Sequence, residues 1–182
     1  MKSFVSATAS ICLLIVSACG TSPTGAYSVI PDNYDDGTDL TFIIPQVTLT
    51  TADSDNVPFD SFIVTATDDN LDLAPTDTRV FGHSNIPFFN NDRRLRMDFS
   101  SPASHVSILF AGGTFFETEV GRLRVYDAND QLIGEYVTEP LESGEVEQMS
   151  ITHATADIAW AVAFIAEDEG SFGRLDDLYF DF

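Results

Sequence analysis

Strict alternation of charged and apolar residues is the feature that most limits how this chain can fold. Residues 94–99 read Arg-Leu-Arg-Met-Asp-Phe. In an extended strand successive side chains point to opposite faces, so this pattern places Leu95, Met97 and Phe99 on one face and the charges on the other. Residues 122–126 alternate in the same way. No segment after residue 20 carries an apolar stripe with helical spacing, so the sequence predicts β-structure with one buried face.

Strand-like runs recur along the whole chain with turn residues between them. They lie at residues 41–50, 61–67, 94–99, 105–110, 122–126, 131–138, 146–152, 158–166 and 174–182. Such regular spacing predicts an antiparallel sandwich or a closed sheet. The fifteen phenylalanines supply large apolar groups for the layer between two sheets.

The first twenty residues have the organisation of an export signal. Lys2 precedes an apolar stretch that is strongest over residues 11–16, and small residues follow it. A positive start, a short apolar region and a small-residue cleavage site describe a secretory signal peptide. The run is shorter than the roughly 20 apolar residues that a membrane-spanning helix needs.

The end of this segment, Val16-Ser17-Ala18-Cys19, resembles the lipobox of bacterial lipoproteins. The resemblance implies diacylglycerol on the Cys19 sulfur, cleavage before that residue and acylation of the new amino terminus. More than one acyl chain would give stable anchoring, since a single chain binds a membrane only reversibly. The alternatives are a buried N-terminal helix and an ordinary secretory signal with a chance cysteine.

The expected organisation has three parts. Residues 1–18 form the signal peptide, residues 19–33 form the lipidated cysteine and a flexible tether, and residues 34–182 form one β-sandwich domain. Gly20 follows the cysteine where an aspartate often marks inner-membrane retention, so the resemblance favours the outer membrane. Cys12 would leave with the signal, which predicts a mature domain without a disulfide.

Acidic residues dominate the charge. The formal net charge is −21, and such a surface repels phosphate backbones, which argues against nucleic-acid binding. The carboxylates either attract divalent cations or simply keep the outer face of the protein hydrated.

A series of short motifs resembles the galactose-binding-like jelly-roll sandwiches of exported bacterial proteins, in particular those with C-terminal sorting signals. The matching pieces are Tyr34-Asp35-Asp36, Val80-Phe81-Gly82, residues 95–102, residues 106–112, residues 123–128 with Leu132-Ile133-Gly134, and residues 175–180. The resemblance implies an all-β, antiparallel two-sheet jelly-roll sandwich with adjacent first and last strands. It also implies glycan binding as a class and, in many members, a structural calcium ion.

Calcium is the most specific site hypothesis. With the terminal strands adjacent, Asp35 and Asp36 would converge with Asp176 and Asp177, and carboxylate oxygens are the ligands that calcium prefers. Like charges so close repel unless a cation joins them. The alternative is a set of solvated turn aspartates, because aspartate favours turns in any case. No other cofactor is expected.

Catalytic patterns are weak. His83, His105 and His153 lie far apart without zinc-ligand spacing, and no Gly-x-Ser-x-Gly motif occurs. The chain is therefore expected to be a non-enzymatic envelope lipoprotein with a binding or structural role, and an extracellular glycan is the favoured ligand class. A glycan-active enzyme, or an accessory domain of one, is the alternative, and no ligand-binding residue is assigned.

Aromatic residues offer two further expectations. Trp160 shares its alternation with Ile158 and Val162, so it is expected in the core. Four loop phenylalanines form either an exposed apolar patch or a cover over the sandwich edge: Phe88, Phe89, Phe115 and Phe116.

Overall fold

The computed structural model describes residues 24–59, 62–113, 118–166 and 172–182. These residues form eleven strands and a short 3-10 turn at Pro31–Asn33. The strands are β1 Ala26–Val29, β2 Val47–Ala52, β3 Val64–Asp68, β4 Arg79–His83, β5 Arg94–Ala103, β6 His105–Ala111, β7 Gly121–Tyr126, β8 Leu132–Val137, β9 Val146–Thr152, β10 Ile158–Ile165 and β11 Arg174–Asp181.

Two antiparallel sheets face each other. One has the strand order β1-β11-β6-β9, the other has the order β2-β5-β10-β7-β8, and β3 and β4 form a separate hairpin. Every strand pair is antiparallel. The non-consecutive neighbours in each sheet produce the jelly-roll connectivity, so the predicted all-β, two-sheet sandwich is confirmed.

The core lies between the two sheets and follows the alternation of the strands. Leu95 and Met97 are fully buried there, and Phe99 packs against the same cluster. Val106, Ile108 and Phe110 of β6 are also fully buried. Burial of each such side chain contributes about 1.5–3 kcal/mol relative to exposure, so these alternating positions are the main source of the sandwich's stability.

The folded part starts earlier than the sequence indicates. Strand β1 lies inside the stretch expected to be a tether, and it pairs with β11 so that Ala26 is opposite Asp181 and Val29 is opposite Leu178. Val29 is fully buried in the core. The domain therefore includes residues before Tyr34, and its first and last described strands are neighbours, as the resemblance implies.

The signal-peptide and lipobox residues, including Cys19, lie outside the described residues, as do Phe115 and Phe116. Among the described residues, no helix has the length and apolar character needed to cross a bilayer.

Candidate functional site

The four aspartates predicted to bind calcium do not all meet. Asp176 and Asp177 lie on β11 and are buried. Asp35 and Asp36 are exposed, and the Oδ1 atom of Asp36 accepts a hydrogen bond from the backbone N–H of Asp68 at 2.9 Å. Asp36 thus bonds to the end of β3, and the first pair of aspartates is exposed whereas the second pair is buried.

Asp32 takes the place that the sequence assigns to Asp35 and Asp36. The hydroxyl of Thr76 lies 2.7 Å from Oδ2 of Asp176 and 3.3 Å from Oδ2 of Asp32. The other oxygen of Asp32 accepts N–H groups from Thr78 at 3.1 Å and from Arg79 at 2.9 Å. The sequence does not single out Asp32, because its partners Thr76, Thr78 and Arg79 lie 44 to 47 residues further along the chain.

Burial and neighbouring negative charges disfavour the ionised forms of Asp176 and Asp177 on β11. Burial raises the pKa of Asp176 to about 7, and the negative charge of Asp177 adds to the effect. Burial also raises the pKa of Asp177, and the charge of Asp32 contributes. The Oδ1 atom of Asp177 is buried and has no hydrogen-bond partner. We call Asp32, Asp176 and Asp177 the β11 acid cluster.

Local backbone geometry creates this arrangement. The pairing of β11 with β6 shifts register between Asp176 and Tyr179, which allows the consecutive residues Asp176 and Asp177 both to be buried. Asp177 has a positive φ of 42°, a region that aspartate tolerates better than most residues. Within the described ranges, no three or more His, Cys, Asp or Glu side chains are arranged to hold a metal ion, so calcium stays a prediction.

A buried ion pair joins Arg174 at the start of β11 to Asp69, which follows β3. The Nη2 atom of Arg174 contacts Oδ1 of Asp69 at 2.9 Å, and both side chains are almost completely buried. Burial by itself raises the pKa of Asp69, but the hydrogen bond and charge of Arg174 and the N–H groups of Leu73 and Leu71 outweigh it, and the pKa is lowered. This carboxylate is therefore held in its charged form.

A second buried layer covers the outside of the five-stranded sheet. Trp160, Val162, Phe164 and Tyr126 form an apolar cluster separate from the main core. The expectation that Trp160 is buried together with Val162 is confirmed, but its grouping with Ile158 is wrong, because the pairing of β10 with β5 changes register between Ile158 and Trp160. The side chain of Trp160 is buried, but it lies on the face that points away from the other sheet.

The indole of Trp160 is held on every side. It stacks on the ring of Tyr126 with a centroid distance of 3.8 Å and an interplanar angle of 3°. The guanidinium carbon of Arg96 lies 4.0 Å from its centroid, and the indole N–H donates to Oδ1 of Asp130 at 3.0 Å. These contacts cover both faces of the indole and hold it rigidly, and the side chain is only 7% exposed.

Arginines line this outer face. The strand register places Arg96 and Arg124 on either side of Val162, and Arg94 lies over the ring of Phe164 at 4.1 Å. Arg122 and Arg124 both bind Glu135, whose pKa these two arginines lower. Four of the seven arginines of an acidic chain thus belong to one sheet face.

A loop between β2 and β3 leaves a groove over Trp160. Oδ1 of Asp53 accepts the N–H groups of Asp55 and Val57, which holds the loop in a tight turn. Asn56 then bonds the hydroxyl of Tyr126 at 3.2 Å and Arg94 at 2.6 Å. The groove, here the outer-face groove, has a volume of about 370 Å³ and is lined by Asp55, Asn56, Val57, Pro58, Arg96, Tyr126, Asp130 and Trp160.

The groove combines a buried Tyr126–Trp160 stack with planar polar groups. Arg96 is paired with Asp98 through its Nε and Nη2 atoms, with the shortest contact at 2.7 Å. Its positive charge is therefore balanced, and Asp55 and Asp130 add negative charge. The groove thus disfavours anions and suits neutral ligands that can both donate and accept hydrogen bonds.

The remaining residues singled out from the sequence lie elsewhere. His83 is buried between Phe62 and Phe89, and burial lowers its pKa to about 4. His105 contacts Thr152, and His153 contacts Asp157, so the three histidines do not form one site. Phe89 is fully buried, and Phe88 packs edge-on against Phe172, which favours the edge cover over the exposed patch for these two residues.

No family model and no curated protein sequence matches the chain. Among solved structures, the K2 cleaved adhesin domain of Lys-gingipain is similar over 87% of this chain and 100% of that domain, with 15% identity and a TM-score of 0.53. The two share a β-sandwich fold. At this identity the likeness identifies the fold alone.

Two weaker likenesses are below a TM-score of 0.5. The K3 cleaved adhesin domain of the same protein from Porphyromonas gingivalis gives 14% identity, 74% and 91% coverage and a TM-score of 0.40. A carbohydrate-binding module in complex with β-1,4-galactotriose gives 15% identity, 88% and 90% coverage and a TM-score of 0.39. Neither decides the function.

Proposed function

We propose that this protein is a lipid-anchored envelope protein whose β-sandwich is a non-catalytic domain that binds a neutral glycan in the outer-face groove. The observation that carries this proposal is the groove itself, where guanidinium, amide and carboxylate groups lie beside the exposed side chains of Val57 and Pro58. Sugar hydroxyls donate and accept hydrogen bonds, and the C–H face of a sugar ring packs on apolar surface such as these two residues offer. The groove's volume is within the range of small-ligand sites.

Trp160 lines the groove, so its fluorescence can report ligand binding there. Trp160 is the single tryptophan of the chain, so a change in its fluorescence reports on this groove. We expect a panel of gluco-, manno-, xylo- and galacto-oligosaccharides to include one that shifts the emission. Arg96→Met should weaken its binding by roughly tenfold or more, because a charged hydrogen-bond donor is lost.

Arg122→Ala is the matched control, since Arg122 is on the same sheet face but does not line the groove. It should leave the binding constant unchanged. Absence of binding to every sugar of the panel would contradict the glycan proposal. Binding that Arg96→Met leaves intact would place the ligand elsewhere.

An enzymatic role is the second candidate. Asp55 and Asp130 both line the groove, and a pair of carboxylates is what glycoside hydrolysis requires. Release of reducing sugar from a bound oligosaccharide, abolished by Asp130→Asn, would establish this role and overturn the non-catalytic assignment. Asparagine suits the positive φ of 61° at this position.

Lipid at Cys19 is the anchoring part of the proposal, and the outer membrane is the expected location. Its support is the signal-like sequence of residues 1–19. Mass spectrometry of protein expressed in a bacterial host should show an acylated N-terminal cysteine. A Cys19→Ser variant should leave the membrane fraction, and its retention there would refute lipid anchoring.

Calcium beside Asp176 and Asp177 completes the proposal, with its other ligands drawn from carbonyl oxygens and water, because the described residues hold no set of three acidic side chains arranged for a metal. The observation in its favour is the buried Oδ1 atom of Asp177 without a partner, because a cation would satisfy it and relieve the repulsion. Calcium chloride should raise the melting temperature relative to EDTA at pH 8, and Asp177→Asn should remove this difference. Equal melting temperatures for the wild type would refute it.

A further inference from the structure

A second groove adjoins the first and has a different character. It has a volume of about 230 Å³ and is lined by Thr41, Phe42, Leu49, Thr50, Pro58, Phe59, Phe62 and Ile63. We call it the Phe42 groove. Its walls are mainly apolar, and Phe59 and Phe62 meet edge to face at 6.0 Å. Phe42 is 77% exposed and Ile63 is 52% exposed, so the groove carries an exposed apolar patch and not a single surface side chain.

The two grooves are neighbours. Pro58 lines both of them. In addition, Thr50 of the Phe42 groove is the register partner of Arg96 of the outer-face groove. Register partners in an antiparallel pair have Cα atoms only about 4.5–5.5 Å apart. A ligand that leaves one groove across Pro58 therefore enters the other directly.

Two threonines interrupt the apolar lining of the Phe42 groove, Thr41 and Thr50. An apolar wall and an exposed aromatic ring, with these polar residues beside them, suit a ligand unit that offers both a C–H face and hydroxyl groups. This is the chemistry of a sugar ring, and the neighbouring groove is suited to the same chemistry.

We infer that the ligand is a linear oligosaccharide chain, with one unit in the outer-face groove and a following unit that crosses Pro58 and stacks on Phe42. This inference rests on the proposed function and specifies the ligand as a chain. Phe42 is then the residue that makes the affinity depend on chain length. Each groove is at or below the small end of the range for small-molecule sites. Neither therefore accommodates an extended chain alone.

The test compares monosaccharides with their matching trimers and hexamers by isothermal titration calorimetry on the expressed protein. We expect a trimer or hexamer to bind at least tenfold more tightly than its monosaccharide. Phe42→Ala should reduce oligosaccharide affinity by about three- to tenfold, as the loss of one aromatic stacking contact does. It should leave monosaccharide affinity unchanged, since Phe42 does not line the outer-face groove.

Tyr179→Ala is the control, because Tyr179 is an exposed aromatic residue on the other sheet. It should change neither affinity. Equal affinity for monosaccharide and hexamer, or oligosaccharide binding that Phe42→Ala leaves intact, would overturn the inference while the proposed function stands. If no sugar binds, the proposed function and the inference both fail. Binding of carboxymethylated lactalbumin that depends on Phe42, without sugar binding, would indicate a protein partner instead.

Discussion

The β11 region and the outer face of the five-stranded sheet both bury charged groups, but they treat them differently. On β11, Asp176 and Asp177 are buried beside each other, and Asp69 depends on Arg174 for its charge balance. On the outer face, the arginines lie over aromatic rings and are mostly partly open to solvent. We therefore expect substitutions in the first region to lower the free energy of unfolding most, and we propose ligand binding for the second.

Two buried arginines make the contrast specific. Arg174 faces a carboxylate inside the protein, whereas Arg94 binds Asn56 and Asn91 through neutral amide oxygens. Removing the first leaves a stranded charge, and removing the second leaves groups that water can satisfy. Loss of an arginine should therefore lower the free energy of unfolding more in the first region than in the second.

Arg174→Met should have the largest effect. We expect the free energy of unfolding to fall by about 3–5 kcal/mol, because the buried carboxylate of Asp69 loses its partner. Urea denaturation measures this change. Adding Asp69→Asn to the same variant should recover part of the loss. A single-variant loss below about 1 kcal/mol would show that the ion pair is not what holds this region together.

Arg94→Met should have a smaller effect of about 1.5–3 kcal/mol. The variant loses hydrogen bonds to the two asparagines and the contact with Phe164, but it strands no charge. The same urea titration applies. A loss as large as that of Arg174→Met would remove the distinction drawn between the two regions.

The β11 acid cluster should make stability depend on pH in an unusual direction. The pKa of Asp176 is raised from 3.8 to about 7 by burial and by Asp177. The folded state therefore holds a proton that the unfolded state releases, and this contribution to stability is lost as the pH rises from about 4 to above 7. Asp177→Asn removes the neighbouring charge, so without calcium it should be more stable than the wild type at pH 8, by roughly 1 kcal/mol.

Unfolding curves of both proteins at pH 5 and pH 8, in EDTA, give this difference. The advantage of Asp177→Asn should be smaller at pH 5, where Asp176 is protonated in the wild type. Asparagine tolerates the positive φ at this position, so backbone strain does not confound the comparison. An advantage that is the same at both pH values would argue against charge repulsion in the cluster.

Arg122→Ala should have the smallest effect, below about 1 kcal/mol. Its bond with Glu135 is partly exposed, and Arg124 continues to pair with the same carboxylate. Thermal unfolding at low and high salt measures the contribution. A loss comparable with that of Arg94→Met would mean that the outer-face charges form a cooperative network.

Much of the sandwich follows from local pattern. Alternation predicts the buried faces of β5 and β6, and the predicted bounds of β9 match the structure. Strand β1 was missed because Ala26–Val29 is short and follows a Gly-, Ser- and Pro-containing stretch. Its stability comes from pairing with β11 at the far end of the chain, which local sequence does not encode.

The candidate site was harder to foresee because it depends on register and on distant contacts. Alternation places Arg94, Arg96 and Arg124 away from the core, but a register change turns Trp160 to join them. The groove also needs Asn56, which lies 70 residues from its partner Tyr126. Neither a register shift nor such a distant hydrogen bond leaves a periodic signal in the sequence.

The pairing of β1 with β11 has a mechanical consequence. If residues before Ala26 lead to a membrane anchor and the groove grips a surface-bound polymer, tension enters the domain through β1. Antiparallel pairing allows such a pull to separate the strands one pair at a time, from Ala26 opposite Asp181 to Val29 opposite Leu178. Stacking of Tyr27 on Phe180 at 5.6 Å resists the second step. Separation of β1 would not detach the domain, because the chain continues covalently into it. It would lengthen the tether by this four-residue strand and so absorb part of the pull before the ligand site bears it.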